Sequence, residues 1–261
     1  MRQPISSIHP VFYFVVVKLR RFARHIRWCF GKDTFAKTTQ NTLLPHSVHK
    51  HKLVVVRQGD PLSQANKVAN LQRATAKLNG IVIGPRETFS LCYLLGCATK
   101  RKGYLAANTL SNGEVIPKIG GGLCKLPTLI HWVCLHSPLT VTECHQHSFD
   151  PFPDEPGVVP SGSGPTFFYN YLDYQLKNNT PYTFQLMLGQ EGDYIVGELR
   201  ADSKLPYRYH VYEANDHFVE TEGKRYRKIE TWRQKVDAND VLMETALIGK
   251  TKSLVKYAKE Q

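Results

Sequence analysis

The stretch "IPKIGGGLCKLPTLIHWVCLHSP", Ile116 to Pro138, decides the fold. Three glycines and a leucine precede Cys124, and the residues that follow are apolar nearly all round. That pattern predicts a tight turn feeding a buried helix over Leu123–His136, which Ser137-Pro138 ends. Pro127 does not oppose it, because a first-turn proline lacks only an N–H that has no intrahelical partner anyway. A helix buried on all sides needs other layers around it, and the flanking sequence supplies them.

Upstream, "QANKVANLQRATAKLNG" places Val68, Leu71, Ala74 and Leu78 on one helical face, with Gly80 at its C-terminal end. "IVI" reads as a short strand. "GPRETFSLCYLLG" holds a brief helix that Thr88 or Ser90 caps. "YLAANTLSNGEVIPKI" reads as a hairpin around Asn112-Gly113. Downstream, "LTVTECHQH" (Leu139–His147) alternates like a strand, and "FDPFPDEPGVVPSGSGP" is a Pro/Gly loop. Strand-like segments run from Thr166 onward, with turns expected at Asn178-Asn179 and Asn215-Asp216. The fold class is therefore α+β: helices mainly in the N-terminal half, one buried central helix, and a predominantly antiparallel sheet in the C-terminal half.

Nearer the N-terminus, residues 8–30 read as a basic helix ending near Gly31. Residues 33–52, polar and containing Pro45, His46, His49 and His51, read as a loop, and "KLVVVRQ" (Lys52–Gln58) as a strand. The composition divides the chain into an N-terminal helix and linker, residues 1–50, and a main domain, residues 51–261, with a sub-boundary in loop 151–165.

The 261 residues carry 34 basic and 22 acidic side chains, a net charge of +12. That excess suits a basic solvated surface or an anionic partner, such as a membrane leaflet or a cell-wall precursor. Nucleic acid ranks last, since no zinc finger, RNP-type aromatic motif or basic zipper is present. The six cysteines lack a zinc-type CxxC pair and read as free thiols of a reducing compartment. "VFYFVVV" (Val11–Val17) is too short to span a bilayer, and its basic residues follow it, whereas a signal peptide puts them first. The expectation is a cytoplasmic protein, with residues 8–30 either docked on the main domain or lying on an anionic membrane face.

The chemistry-bearing residues cluster around the opening stretch. A thiolate is favoured at a helix N-terminus, so Cys124 is a candidate nucleophile. The N–H groups of Gly120, Gly121 and Gly122 are candidate oxyanion donors. His145 and His147 are candidate bases, with Glu143 or Asp150 to orient the imidazole, and Arg86 is a candidate anion contact. This set describes a cysteine-dependent hydrolase or transferase acting on a peptide-like substrate. The plainer reading of the same residues is an inert cysteine behind a packing turn, with a surface salt bridge at Arg86. A third use is zinc on Cys124, His145 and His147; otherwise no cofactor is expected. His131 and His136 read as structural histidines of the buried helix.

"GPRETFS", "GGGLCKL", "HWVCLHSPLTVTECHQHSFDPFP", "GSGPTFFYNYLDYQLKNNT" and "YRKIETWR", in this order and spacing, resemble the VanW family, named for an accessory protein of vancomycin-B-type resistance clusters. The resemblance extends over nearly the whole chain. It implies an accessory role in glycopeptide resistance or cell-wall metabolism and a wall precursor or peptide-like ligand. It also makes residues 51–261 a VanW-like domain. Gly120, Gly121, Gly122 and Cys124 match a pattern similar to G-G-G-x-C-Q, and Glu143, His145 and His147 match an E-x-H-x-H part. Lys125 stands where the family usually has Gln, Pro127-Thr128 where it has Ser-Asn, and Cys144 where it often has Arg. Lys125 can donate to a carboxylate or phosphate but cannot accept a hydrogen bond. The resemblance thus leaves open a non-catalytic binding module for an anionic precursor or partner protein beside the enzyme, and a metal-stabilised structural protein beside both.

Overall fold

A computed structural model describes residues 10–56, 59–111, 114–150 and 164–257. From the N-terminus come α1 (Pro10–Phe30), β1 (Thr34–Phe35), β2 (His46–Val54), α2 (Pro61–Leu78), β3 (Ile81–Ile83), β4 (Glu87–Ser90) and α3 (Leu91–Leu95). The hairpin β5 (Ala106–Ser111) and β6 (Glu114–Ile119) leads to α4 (Lys125–Leu135), then β7 (Thr140–Glu143), β8 (His145–Gln146) and β9 (Phe149–Asp150). The remainder is strand: β10 (Pro165–Thr166), β11 (Gln175–Lys177), β12 (Phe184–Glu191), β13 (Tyr194–Ala201), β14 (Arg208–Thr221), β15 (Lys224–Val236) and β16 (Leu242–Val255). The chain is α+β, as its sequence predicts.

Three four-stranded sheets organise these elements, in the orders β1-β4-β11-β7, β2-β13-β12-β3 and β14-β15-β16-β9. Pairing is antiparallel except for β1 on β4 and β9 on β16. Eight of the eleven residues of α4 are buried, which is why its sequence is apolar on every side. Leu129 lies against Gly197 of β13, and His131 hydrogen-bonds the Tyr174 hydroxyl beside β11 at 3.0 Å, so α4 touches two sheets. On α2, Leu71, Ala74 and Leu78 are fully buried. Asp60 caps its start by accepting from the Ser63 N–H at 2.8 Å, with Pro61 in the first turn, where a proline is harmless. Ser90 caps α3.

The structure corrects several boundaries. Residues 46–51 are strand, not loop. β2 begins at His46, runs through positions 50 and 51, and pairs with β13 from His46 opposite Ala201 to Val54 opposite Tyr194. The imidazoles of His49 and His51 alternate inward with Leu53, so a polar-looking segment fills the buried face of a strand. Val55 and Val56 lie beyond the strand, and Arg57-Gln58 lie outside the described residues. The central helix starts at Lys125, because Gly120–Cys124 form the turn before it. The strand expected over Leu139–His147 breaks at Cys144 into β7 and β8, which pair with different partners, so alternation along one strand does not set how His145 and His147 are placed. Asn215-Asp216 is not a turn. The register shifts there within β14, with Asn215 at φ 55°, and the chain reverses instead at Glu222-Gly223, both in the left-handed region. Asn112-Gly113 and residues 151–163 of the Pro/Gly loop lie outside the described residues.

Candidate functional site

The turn between β6 and α4 is built from Gly120 outward. Gly120 and Gly122 have φ of 79° and 91°, where an L side chain is strained. Gly121 has an ordinary φ but no room: a Cβ there would lie 2.0 Å from the Ala107 carbonyl oxygen. Asn70 of α2, fully buried, holds the turn from beneath. Its Nδ2 donates to the Gly121 and Leu105 carbonyls at 3.0 Å each, and its Oδ1 accepts from the Leu105 N–H at 2.8 Å. The Gly120 N–H donates to Leu105 O and the Gly121 N–H to Lys118 O, both at 3.0 Å. Two of the three candidate oxyanion donors are therefore committed inside the turn. The stem of Lys67 lies against Gly122.

Cys124 is half-buried at the start of α4, and its thiol makes no capping bond. Its carbonyl accepts from Thr128 Oγ1 at 3.2 Å. Lys125 opens the helix, donating its N–H to Gly122 O. Among the described residues, no hydrogen bond joins Cys124 to His145 or His147, and no group of three or more His, Cys, Asp or Glu side chains is placed to hold a metal ion.

Glu143 and His145 do come together: His145 Nε2 lies 3.0 Å from Glu143 Oε1. The carboxylate is also gripped by Arg24 of α1 at 2.7 and 2.8 Å, and it accepts the Asp173 N–H at 2.9 Å. Burial alone would raise the Glu143 pKa, but the bonds from Arg24, Asp173 and His145 hold it below the usual carboxylate range. Behind it lies Asp173, fully buried. It accepts from Ser90 Oγ at 2.5 Å, from the Cys92 and Tyr174 N–H groups at 2.8 Å, and from Gln175 Nε2 at 2.9 Å. Cys92 sits against this carboxylate, and burial followed by the Asp173 charge pushes its thiol far up, so it is unreactive. Nothing in the sequence marks Arg24 or Asp173 as partners. The spacing of Val17, Arg21, Arg24 and Trp28 on one helical face is the only local signal.

The remaining candidates lie apart. Asp150 is fully buried in the third sheet, 3.5 Å from the Arg227 guanidinium, with the Tyr257 hydroxyl at 3.3 Å. Arg86 sits exposed in the β3–β4 turn at φ 66° and donates its N–H to Asn178 O. The carbonyl of His147 accepts from Ser253 Oγ at 2.9 Å, and burial lowers the pKa of its imidazole. An open trough of about 540 Å3 beside α2 is lined by residues including Val56, Pro61, Ala65 and Val68, and by none of the candidates.

A second histidine cluster joins β2 to α4. His49 stacks on His136 with ring centroids 3.5 Å apart and planes 3° from parallel, and His51 and Trp132 complete the group. Burial, then the neighbouring His136 and His51, lowers the His49 pKa to about 4; burial lowers those of His51 and His136 and takes buried His131 to about 4. All these folded-state values lie below the ordinary 6.5. The unfolded chain therefore binds more protons below that pH, and stability is complete above about pH 6.5 and falls as the pH drops toward 4. Urea midpoints should decline steadily from pH 7 to pH 5, and His49→Gln should flatten the decline. Equal midpoints at the two pH values would refute this account.

The family model described as VanW-like protein matches residues 66–200, which include the glycine turn, Cys124, Glu143, His145 and Asp173. The chain is 29% identical over 210 residues to the vancomycin B-type resistance protein VanW of Enterococcus faecalis, covering 79% of this chain and 76% of that protein. It is 25% identical over 117 residues to the uncharacterized protein YoaR of Bacillus subtilis, covering 44% of this chain and 37% of that one. No solved structure matches the chain.

Proposed function

The chain belongs to the VanW-like protein family, and from that membership we propose that it is an accessory protein of vancomycin resistance or cell-wall metabolism that works by binding an anionic wall precursor. One observation favours binding over catalysis. The Gly120 and Gly121 N–H groups are committed to carbonyls inside the turn, and no hydrogen-bonded base stands at the Cys124 thiol among the described residues. The net charge of +12 suits an acidic ligand, and Lys67 and Lys125 flank the turn ahead of α4. His145 and Glu143 act structurally in this reading, tying β7 and β8 to α1 through Arg24.

A second reading keeps Cys124 as the nucleophile of a hydrolase or transferase, with the His145 imidazole as its base after a rearrangement. It is favoured by the partly exposed thiol, unbonded at a helix N-terminus. Calorimetric titration of the full chain with a nucleotide-linked muropeptide separates the two. Binding shared equally by wild type and Cys124→Ala is expected. Turnover of the ligand that Cys124→Ser abolishes would transfer the function to the thiol, and no heat of binding in either protein would sink the proposal.

A further inference from the structure

Helix α1 has two opposite faces, and only one is occupied. Arg24 grips Glu143, Arg21 Nε donates to Tyr169 O at 3.0 Å, and Trp28 stands edge-on to Tyr93 at 5.1 Å, so one face is docked on the domain. On the other, Val15, Leu19, Phe22, Ile26 and Phe30 recur every three or four residues and form one continuous line. They are 45%, 61%, 65%, 44% and 85% exposed. Exposed Lys18 borders this line on one side, and exposed Arg20 and Arg27 on the other. The helix contains no acidic residue.

We propose that α1 is an in-plane membrane helix that seats this apolar line at the headgroup–acyl boundary of an anionic bilayer, with Lys18, Arg20 and Arg27 on the lipid phosphates. The arrangement has the two components of interfacial binding, buried apolar area and cationic flanks. A second copy fits the line less well. Pairing two such faces would bring six cations together with no acidic residue on either helix to answer them. Crossing the bilayer is not the alternative: among the described residues no helix is long and apolar enough to span a membrane. Docking through the opposite face holds the line outward from the domain before any lipid is met, so little ordering accompanies binding.

The test is flotation of the full chain with vesicles of phosphatidylcholine alone, or with phosphatidylglycerol added at roughly one part in three. Wild type should float with the anionic vesicles, and less so as salt rises. Leu19→Gln combined with Phe22→Gln should lower the partition coefficient roughly a hundredfold. The melting temperature should not change, because both side chains are exposed. The triple variant Lys18→Gln, Arg20→Gln, Arg27→Gln should lose the preference for anionic lipid. Wild type remaining unbound would overturn the proposal, as would undiminished binding of the double variant. A concentration-dependent dimer that the double variant abolishes would assign the line to a second copy instead.

Discussion

Gly121→Ala should destabilise the protein more than any other single glycine substitution at the turn. The new Cβ would stand 2.0 Å from the Ala107 carbonyl oxygen and 2.5 Å from its carbon, and both atoms belong to the backbone of β5. Neither side of the contact can yield cheaply. Ala107 is paired with Lys118 across the hairpin, and the Gly121 carbonyl is pinned by buried Asn70. Relief would require moving the hairpin or the entry to α4, the most buried helix of the molecule. A loss of about 3 kcal/mol or more is expected, a large part of a typical domain's stability. Gly189→Ala is the control. It lies in β12 with nothing within 4 Å of its added Cβ, and should change stability by less than about 0.5 kcal/mol. Denaturant midpoints of the two variants decide the matter. If Gly121→Ala unfolds within experimental error of wild type, the turn is not packed as described.

The second large effect is expected at Asp173. Alanine there removes the acceptor for Ser90 Oγ, for the Cys92 and Tyr174 N–H groups and for Gln175 Nε2. It also leaves Arg24, whose guanidinium lies 3.6 Å away, with one carboxylate instead of two. Removing one member of a buried charged network costs about 3–5 kcal/mol, because the remaining groups stay buried and unpaired. Asp173→Asn retains one acceptor oxygen and should cost less. A double-mutant cycle with Arg24→Met measures the coupling between α1 and the core. A coupling energy near zero would mean that Arg24 is held through Glu143 and not through Asp173.

These two sites differ in how far the sequence exposes them. Gly120–Cys124 is legible because glycine's freedom and a following apolar run are local signals, and so are the Ser90 cap, the α2 face and the α+β class. What the sequence cannot distinguish is why a glycine is there. A glycine that admits a substrate and one that admits Ala107 O read identically, and only the fold places the second strand. The histidines of β2 read as loop for a related reason. Imidazole counts as polar in a pattern, yet stacked and neutral it fills a buried strand face as an aromatic would. Asp173 is not legible in the sequence because its partners lie on α1, α3 and β7, brought together only by tertiary contact. The break at Cys144 is likewise set by two competing pairings, β11 with β7 and β10 with β8, which no propensity encodes.

One pairing also constrains when the molecule can form. β9 lies parallel to β16, with Phe149 opposite Leu254 and Asp150 opposite Val255. In a chain emerging from the ribosome, Asp150 must wait roughly a hundred residues for its neighbouring strand, and for Arg227, which shares its charge. Until then a carboxylate destined for full burial stays in water, and β15 lacks the strand that covers its second edge. The glycine turn, held by Asn70 and the β5–β6 hairpin, can settle early, whereas α4 waits for Tyr174 and Gly197. The third sheet is therefore completed only after synthesis has passed Val255.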